Sequence, residues 1–508
     1  MDLCGKNWPE DGVQNVVSYL MKLQGGKQGL FYAIKMNNDE GEAAIFWADN
    51  ACIMNYNYFG DTVTFDSVFK PNAYKIPFVS FTGLNHHGQP VLFGCGLLLK
   101  ELYSSYVWLL QTWLQAMKSA HPTSITTAPD TLIEAAVSHV LPGTRLRYCK
   151  QEILGGIEEK MTSVFEIALL RCINECETPD DFEVSWKSLL RQHSLANDEW
   201  LQSLYNAREK WVPAYLRSTF FGEDTMKLNA YFDGFVNGST AMANLMEEYE
   251  NAVSSWLEKE QNADIETIGG DPETFSPMEK QVADLYTRGM FHKFQKELIE
   301  SAKNTATTTS NSEAITYRVV NYREETKPRT VIFNPQSMKA NCSCQMFEFS
   351  GIICRHILAV YKARNLLTLP NNFFLKRWTR IAKTSTSSEA PESSKQHHAV
   401  KYNTLREIAL KYAEDGAKSI DSYHVAMNTL KEISKKVEAA KTSAAEGDES
   451  QTKREKGDRI RKLTEELERV NNLSEMYRGS LKSVMKEMEE EKTKLSVIVQ
   501  NAKVAIEE

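Results

Sequence analysis

Between residues 42 and 150, short runs rich in Val, Phe and Ile alternate with helical patterns, which predicts an α/β domain. Strand-like runs fall at 43–48, 62–69, 77–84 and 91–99, with turn residues between them. Residues 103–117 then set Tyr106, Leu109, Leu110, Trp113 and Leu114 on one helical face, and 124–127 reads as a short strand. Asp130 stands where it can cap a helix whose apolar face carries Leu132, Ile133, Ala136 and Val140, and a strand at 144–149 closes the series. These elements make 42–157 a folded core, with 1–41 as a segment leading into it. From 158 to 303 the pattern turns helical and acidic, with Trp186, Trp200, Trp211, Tyr215, Phe232, Tyr249 and Trp256 as packing anchors. The polar Ser/Thr/Asn run within 304–316 reads as a linker into a module at 317–383. A Ser/Thr-rich stretch at 384–400 reads as a disordered linker, followed by a helical segment at 401–445. Beyond it, the a/d positions Ile460, Leu463, Leu467, Val470, Ser474, Tyr477, Leu481, Val484, Met488, Glu491, Leu495, Ile498 and Ala502 keep an unbroken 3-4 spacing with charged residues between, and ten of the thirteen are apolar. This predicts a coiled coil over 455–506 that self-associates or pairs with a partner helix.

A length of 508 residues allows two or three domains, and 42% hydrophobic with 25% charged residues is ordinary for a globular protein. The nine cysteines show no disulfide-like framework, and the amino terminus has no signal-peptide pattern, so a reducing compartment, cytosol or nucleus, is expected. The longest apolar stretch, 91–99, is too short to span a bilayer. A net charge of −8 argues against indiscriminate nucleic-acid binding by the whole chain. Charge is uneven, however: between 317 and 383 Lys and Arg far outnumber acids, and Trp378, Phe373 and Phe374 lie among them. A basic patch with aromatics suits phosphate contacts and base stacking.

That module also holds the most specific chemistry of the chain. Cys342 and Cys344, then Cys354 and His356, spell C-x-C followed by C-x-H, the four thiolate and imidazole ligands of a closed tetrahedral Zn²⁺ site. The first pair belongs on a tight turn or strand end. The second precedes the apolar run Ile357, Leu358, Ala359, Val360 and belongs at a helix start. With all four positions filled by protein, none remains for a substrate water, so a structural metal is expected. The order strand, turn, helix resembles the SWIM zinc finger.

Further motifs carry a wider resemblance. Phe46-Trp47-Ala48-Asp49, Thr64-Phe65-Asp66, Gly83-Leu84-Asn85-His86-His87-Gly88-Gln89-Pro90, Leu141-Pro142 and Trp211-Val212-Pro213-Ala214-Tyr215 resemble the plant far-red-impaired-response and far-red-elongated-hypocotyl proteins. That family descends from Mutator-like transposases. The resemblance implies an α/β ribonuclease-H-like core with a large helical insertion and a small SWIM zinc module, to which the heptads add a C-terminal coiled coil. It also implies nuclear transcription regulation in far-red light signalling.

Transposases of this descent cut DNA with three carboxylates holding two divalent ions. Asp66 matches the first carboxylate, but the second falls on Ala128 and the third on Met226, and Glu152 stands where a histidine is expected. The expectation is therefore a non-enzyme, with no substrate or membrane partner. Relatives carry a zinc-binding DNA-recognition domain ahead of the core, whereas Cys4 is the one early cysteine here. The chain is accordingly expected to lack that domain and to pair, as a homo- or hetero-oligomer, with full-length relatives. DNA contact would then come through 317–383. The alternatives are a DNA-cleaving transposase remnant and an assembly adaptor that does not touch DNA.

Overall fold

Alternating and continuous apolar runs build a seven-stranded sheet of order β1-β2-β5-β4-β3-β6-β7 from β1 (Phe31–Asn37), β2 (Glu42–Ala48), β3 (Thr62–Phe69), β4 (Phe78–Leu84), β5 (Pro90–Leu98), β6 (Ser124–Thr127) and β7 (Arg145–Tyr148). The computed structural model describes residues 16–383, except 23–28, 38–41, 70–75, 156, 158–160, 223–227, 229, 237–239, 241–243, 267–271, 275, 312 and 323, together with 419–444. Strands β1 to β5 pair antiparallel, while β3, β6 and β7 run parallel. The centre of the sheet is covered on both faces, so β4 and β5 read as unbroken apolar runs rather than alternating ones. Helix α1 (Asn50–Phe59) starts where the Asp49 carboxylate accepts the Cys52 amide at 2.8 Å. Helix α2 (Tyr103–Ala116) leads from β5 into β6, and α3 (Thr131–Val140) joins the parallel β6 and β7. Trp113 of α2 stacks on Phe81 at 4.7 Å and meets the edge of Tyr56 at 5.3 Å, fixing both helices to the sheet.

The next region is helical as expected, but it divides among three cores. Helices α4 (Ser163–Glu175), α5 (Pro179–His193) and α6 (Glu199–Asn206) bury Phe165, Leu169, Phe182, Trp186 and Leu201 around Trp211. A capping box between Thr178 and Asp181 begins α5. Helix α7 (Leu245–Glu266) packs instead on the seven-stranded sheet, where Tyr249 meets Trp47 at 5.9 Å. Helices α8 (Pro277–Leu285) and α9 (Arg288–Glu300) share a core with a second, antiparallel sheet of order β11-β10-β9-β8. Its strands are β8 (Asn304–Asn311), β9 (Ile315–Asn321), β10 (Glu324–Asn334) and β11 (Lys339–Cys342). They are followed by α10 (Met346–Ser350) and α11 (Arg355–Ala363).

Two expectations are corrected here. Segment 304–316 is not a linker: it forms β8 and the start of β9. Its threonines are β-branched and suit a pleated edge, and as an edge strand β8 stays largely polar toward solvent. The segment 1–41 contributes β1, an edge strand paired along its length with β2. The zinc module shares its hydrophobic core with α8 and α9. The helical segment at 401–445 is described only as the helix Ile420–Ala444, which belongs to a unit separate from residues 1–393. The linker at 384–400, the coiled coil at 455–506 and Met226 lie outside the described residues.

Candidate metal centre

The β10–β11 hairpin pairs Val331 with Cys342, so Cys342 ends β11 with its backbone already held. A turn follows, in which the Gln345 amide donates to the Cys342 carbonyl at 3.0 Å with Gln345 in the left-handed region (φ 50°). The turn brings the Cys344 amide to 3.5 Å from the Cys342 sulfur, a donor that favours the thiolate. Cys354 occupies the N-cap position of α11 and His356 its first turn. The expected placement, strand end for C-x-C and helix start for C-x-H, is the one observed.

The three Sγ atoms and an imidazole nitrogen of His356 all lie within 4.8 Å of one another, and all four residues are buried. Ligand atoms around tetrahedral Zn²⁺ with bonds of ~2.3 Å to sulfur stand roughly 3.8 Å apart, a spacing compatible with this cluster. Two observations fit a cation here. His356 Nδ1 is buried without a hydrogen-bond partner. The thiols compete for one negative charge: bonding from Cys342 and Cys354 holds the Cys344 thiol well below its ordinary value, while burial pushes the Cys354 thiol well above it. A divalent ion would stabilise all three thiolates together.

The centre is fastened to neighbouring elements by charge. Arg329 on β10 donates to Glu177 and to Asp181 at the start of α5, both at 2.6 Å. The same Glu177 lies 4.0 Å from His356 Nε2, where it can orient the ring. Arg355 forks onto the buried Glu297 of α9 at 2.9 and 2.6 Å, and its amide donates to the same carboxylate at 2.9 Å. Glu177, Asp181 and Glu297 went unnoticed in the sequence, because nothing in their local pattern separates them from solvated acids.

Part of the basic excess of 317–383 is spent inside the fold, while Arg318, Lys339, Lys362, Arg364 and Lys376 are exposed. Besides Arg329 and Arg355, Arg377 is buried against Asp61 and the Leu84 carbonyl. Arg380 donates to the Ala283 and Tyr286 carbonyls, and Lys383 pairs with Glu260. The proposed stacking platforms are corrected too: Phe373 and Trp378 are core residues, Trp378 donating to the Ser350 carbonyl at 3.0 Å. A cavity of about 820 Å³ beside the zinc ligands mixes Lys293, Lys296 and Arg355 with Glu175, Glu297 and Glu300, so it presents no uniform positive field.

In the first sheet, Asp66 is buried on β3. The β3–β6 register pairs Thr64 with Thr126. Continued two residues further, it sets Ala128 beside Asp66. The Asp130 carboxylate caps α3, accepting the Leu132 and Ile133 amides at 2.7 and 3.0 Å. Glu152 is exposed, on the single turn Lys150–Ile153.

Two family models match: the MULE transposase domain over residues 62–155 and the SWIM zinc finger over 319–365. The latter spans all four clustered ligands, and the cofactor is Zn²⁺. Protein FAR1-RELATED SEQUENCE 9 of Arabidopsis thaliana is 46% identical, covering 98% of this chain and 97% of its own length. FAR1-RELATED SEQUENCE 5 of the same plant is 42% identical over 98% of this chain and 68% of its own length. FAR-RED IMPAIRED RESPONSE 1 is 31% identical over 84% of this chain and 53% of itself.

Proposed function

The chain belongs to the FAR1-related family of transposase-derived plant proteins with a SWIM zinc finger, and from that premise we propose a nuclear transcription regulator that pairs with relatives and does not cut DNA. The first sheet supports a ribonuclease-H-like core: three antiparallel strands, then two parallel strands joined through helices. The observation that carries the reading is the surroundings of Asp66. The β3–β6 register, continued beyond Thr64 and Thr126, puts Ala128 rather than a carboxylate opposite Asp66, and Asp130 is committed to a helix cap. One carboxylate cannot hold the two divalent ions that activate water and stabilise the leaving oxygen. Cys342, Cys344, Cys354 and His356 hold zinc as a structural staple, since four protein ligands leave no open position. Far-red signalling follows from the name of FAR-RED IMPAIRED RESPONSE 1.

Pairing is favoured over DNA reading by 317–383 because Arg329, Arg355 and Arg377 have internal partners and Phe373 and Trp378 are buried. Supercoiled plasmid incubated with the purified chain and Mg²⁺ or Mn²⁺ tests the non-enzyme reading. No nicking above background is expected, from the wild type or from Asp66→Ala. Metal-dependent nicking abolished by Asp66→Ala would overturn it.

A further inference from the structure

The geometry points to a second divalent-metal site, built from His86, His87 and Asp264 and separate from the zinc finger. The two histidines occupy the turn between β4 and β5, which the Asn85 side chain organises by accepting the His87 and Gln89 amides, each at 2.9 Å. Gly88 completes the turn at φ +77°, a conformation costly for other residues. Asp264 arrives from the far end of α7, and Glu260 lies one turn earlier on the same face.

His86 Nε2 and His87 Nε2 converge on one carboxylate oxygen, Asp264 Oδ1, at 3.1 and 2.9 Å. Donor atoms around tetrahedral Zn²⁺ with bonds of ~2.0 Å stand about 3.3 Å apart, so an ion enters by opening each pair by a few tenths of an ångström. The side chains are 3%, 5% and 17% exposed, shielded enough that a carboxylate with two imidazoles is a strong donor set. Two neutral histidines and one aspartate give a net charge of −1, which suits a divalent ion of the Zn²⁺ or Co²⁺ class and leaves one position for water.

The second observation is the far side of the His86 ring. Its Nδ1 is buried with no hydrogen-bond partner and faces Glu260 Oε1 at 3.7 Å. If Nε2–H merely donated to Asp264, Nδ1 would turn a bare lone pair toward a carboxylate. With a metal on Nε2 the proton moves to Nδ1 and points at Glu260, giving the carboxylate–histidine–metal arrangement. Glu260 is itself held by Asn85 Nδ2 at 3.1 Å and Lys383 Nζ at 2.6 Å. Phe59 stacks on the His86 ring at 5.8 Å, and Thr287 Oγ1 donates to the His86 carbonyl at 2.6 Å. An ion here would therefore pin α7 to the sheet beside α9.

Metal content of the full chain, loaded with Zn²⁺ and desalted, tests the site. The expected result is two equivalents in the wild type and one in Asp264→Asn, whose amide oxygen still accepts both histidine hydrogen bonds but ligates poorly. Co²⁺ titration should show thiolate charge-transfer absorption from the finger in both proteins. The separate sulfur-free d–d component should weaken at least tenfold in affinity in Asp264→Asn, and likewise in His87→Ala. A single equivalent in the wild type, or two retained with an unchanged Co²⁺ spectrum in Asp264→Asn, would overturn the proposal. The cluster would then be a hydrogen-bonded clamp.

Discussion

Arg329 spans two carboxylates with one guanidinium and thereby connects a strand of the zinc module to the start of α5. Glu177 and Asp181 are each less than a third exposed, so Arg329→Met leaves two shielded charges without their cation. It should lower unfolding stability by roughly 3 kcal/mol, read from urea midpoints, with zinc affinity falling as His356 loses its oriented carboxylate. Removal of a ligand acts more locally: Cys344→Ser and His356→Ala should each eliminate the finger's zinc and loosen 319–365, as hydrogen exchange would report. Retention of that zinc in both would show the ligand set to be wrong. The four ligands were legible because C-x-C and C-x-H are short-range spacings with few chemical uses. Their acidic supports were not, since Glu177 and Asp181 lie 152 and 148 residues from Arg329 and only folding brings them together.

Elements with strong periodicity were legible to within a residue or two: β3 and β6 match, and β4, β5 and α2 differ only at their ends. Those missed were encoded in weaker signals. The threonine-rich β8 reads as polar because it is an edge, and α1 is hidden by a composition rich in Asn and Tyr, with Asp49 as its best mark. The junction between α8 and α9 turns on Glu279, a buried carboxylate. It accepts from the Glu273 and Thr274 amides at 3.0 and 2.7 Å, from Gln295 Nε2 at 2.8 Å and from the Thr274 hydroxyl. Burial alone would raise its pKa, but these donors outweigh it and hold the carboxyl below its ordinary value. A depressed carboxylate contributes stability above its unfolded pKa and loses it as pH falls through the folded one. Glu279→Gln should therefore cost about 1–3 kcal/mol at neutral pH. The difference from wild type should narrow as thermal melts are taken down through the carboxylate range, and a constant difference would contradict the assignment.

Across the whole molecule, the helix cap that occupies Asp130 and the internal partners of Arg329, Arg355 and Arg377 are the features on which the proposed association, rather than cleavage or base reading, rests. A count of Lys and Arg in the sequence does not reveal which have internal partners, as Arg329 and Arg377 do. Family membership was legible from long motifs, whereas the division of the helical region among three cores was not. The central claim, that the protein works by pairing, places the contact in the heptads at 455–506. The most direct measurement is the light-scattering mass of the full chain against a chain ending at residue 444, each alone and mixed with FAR1-RELATED SEQUENCE 9. A dimer or mixed complex for the full chain, reduced to monomer by the truncation, is the predicted result. Monomers in every sample would contradict it.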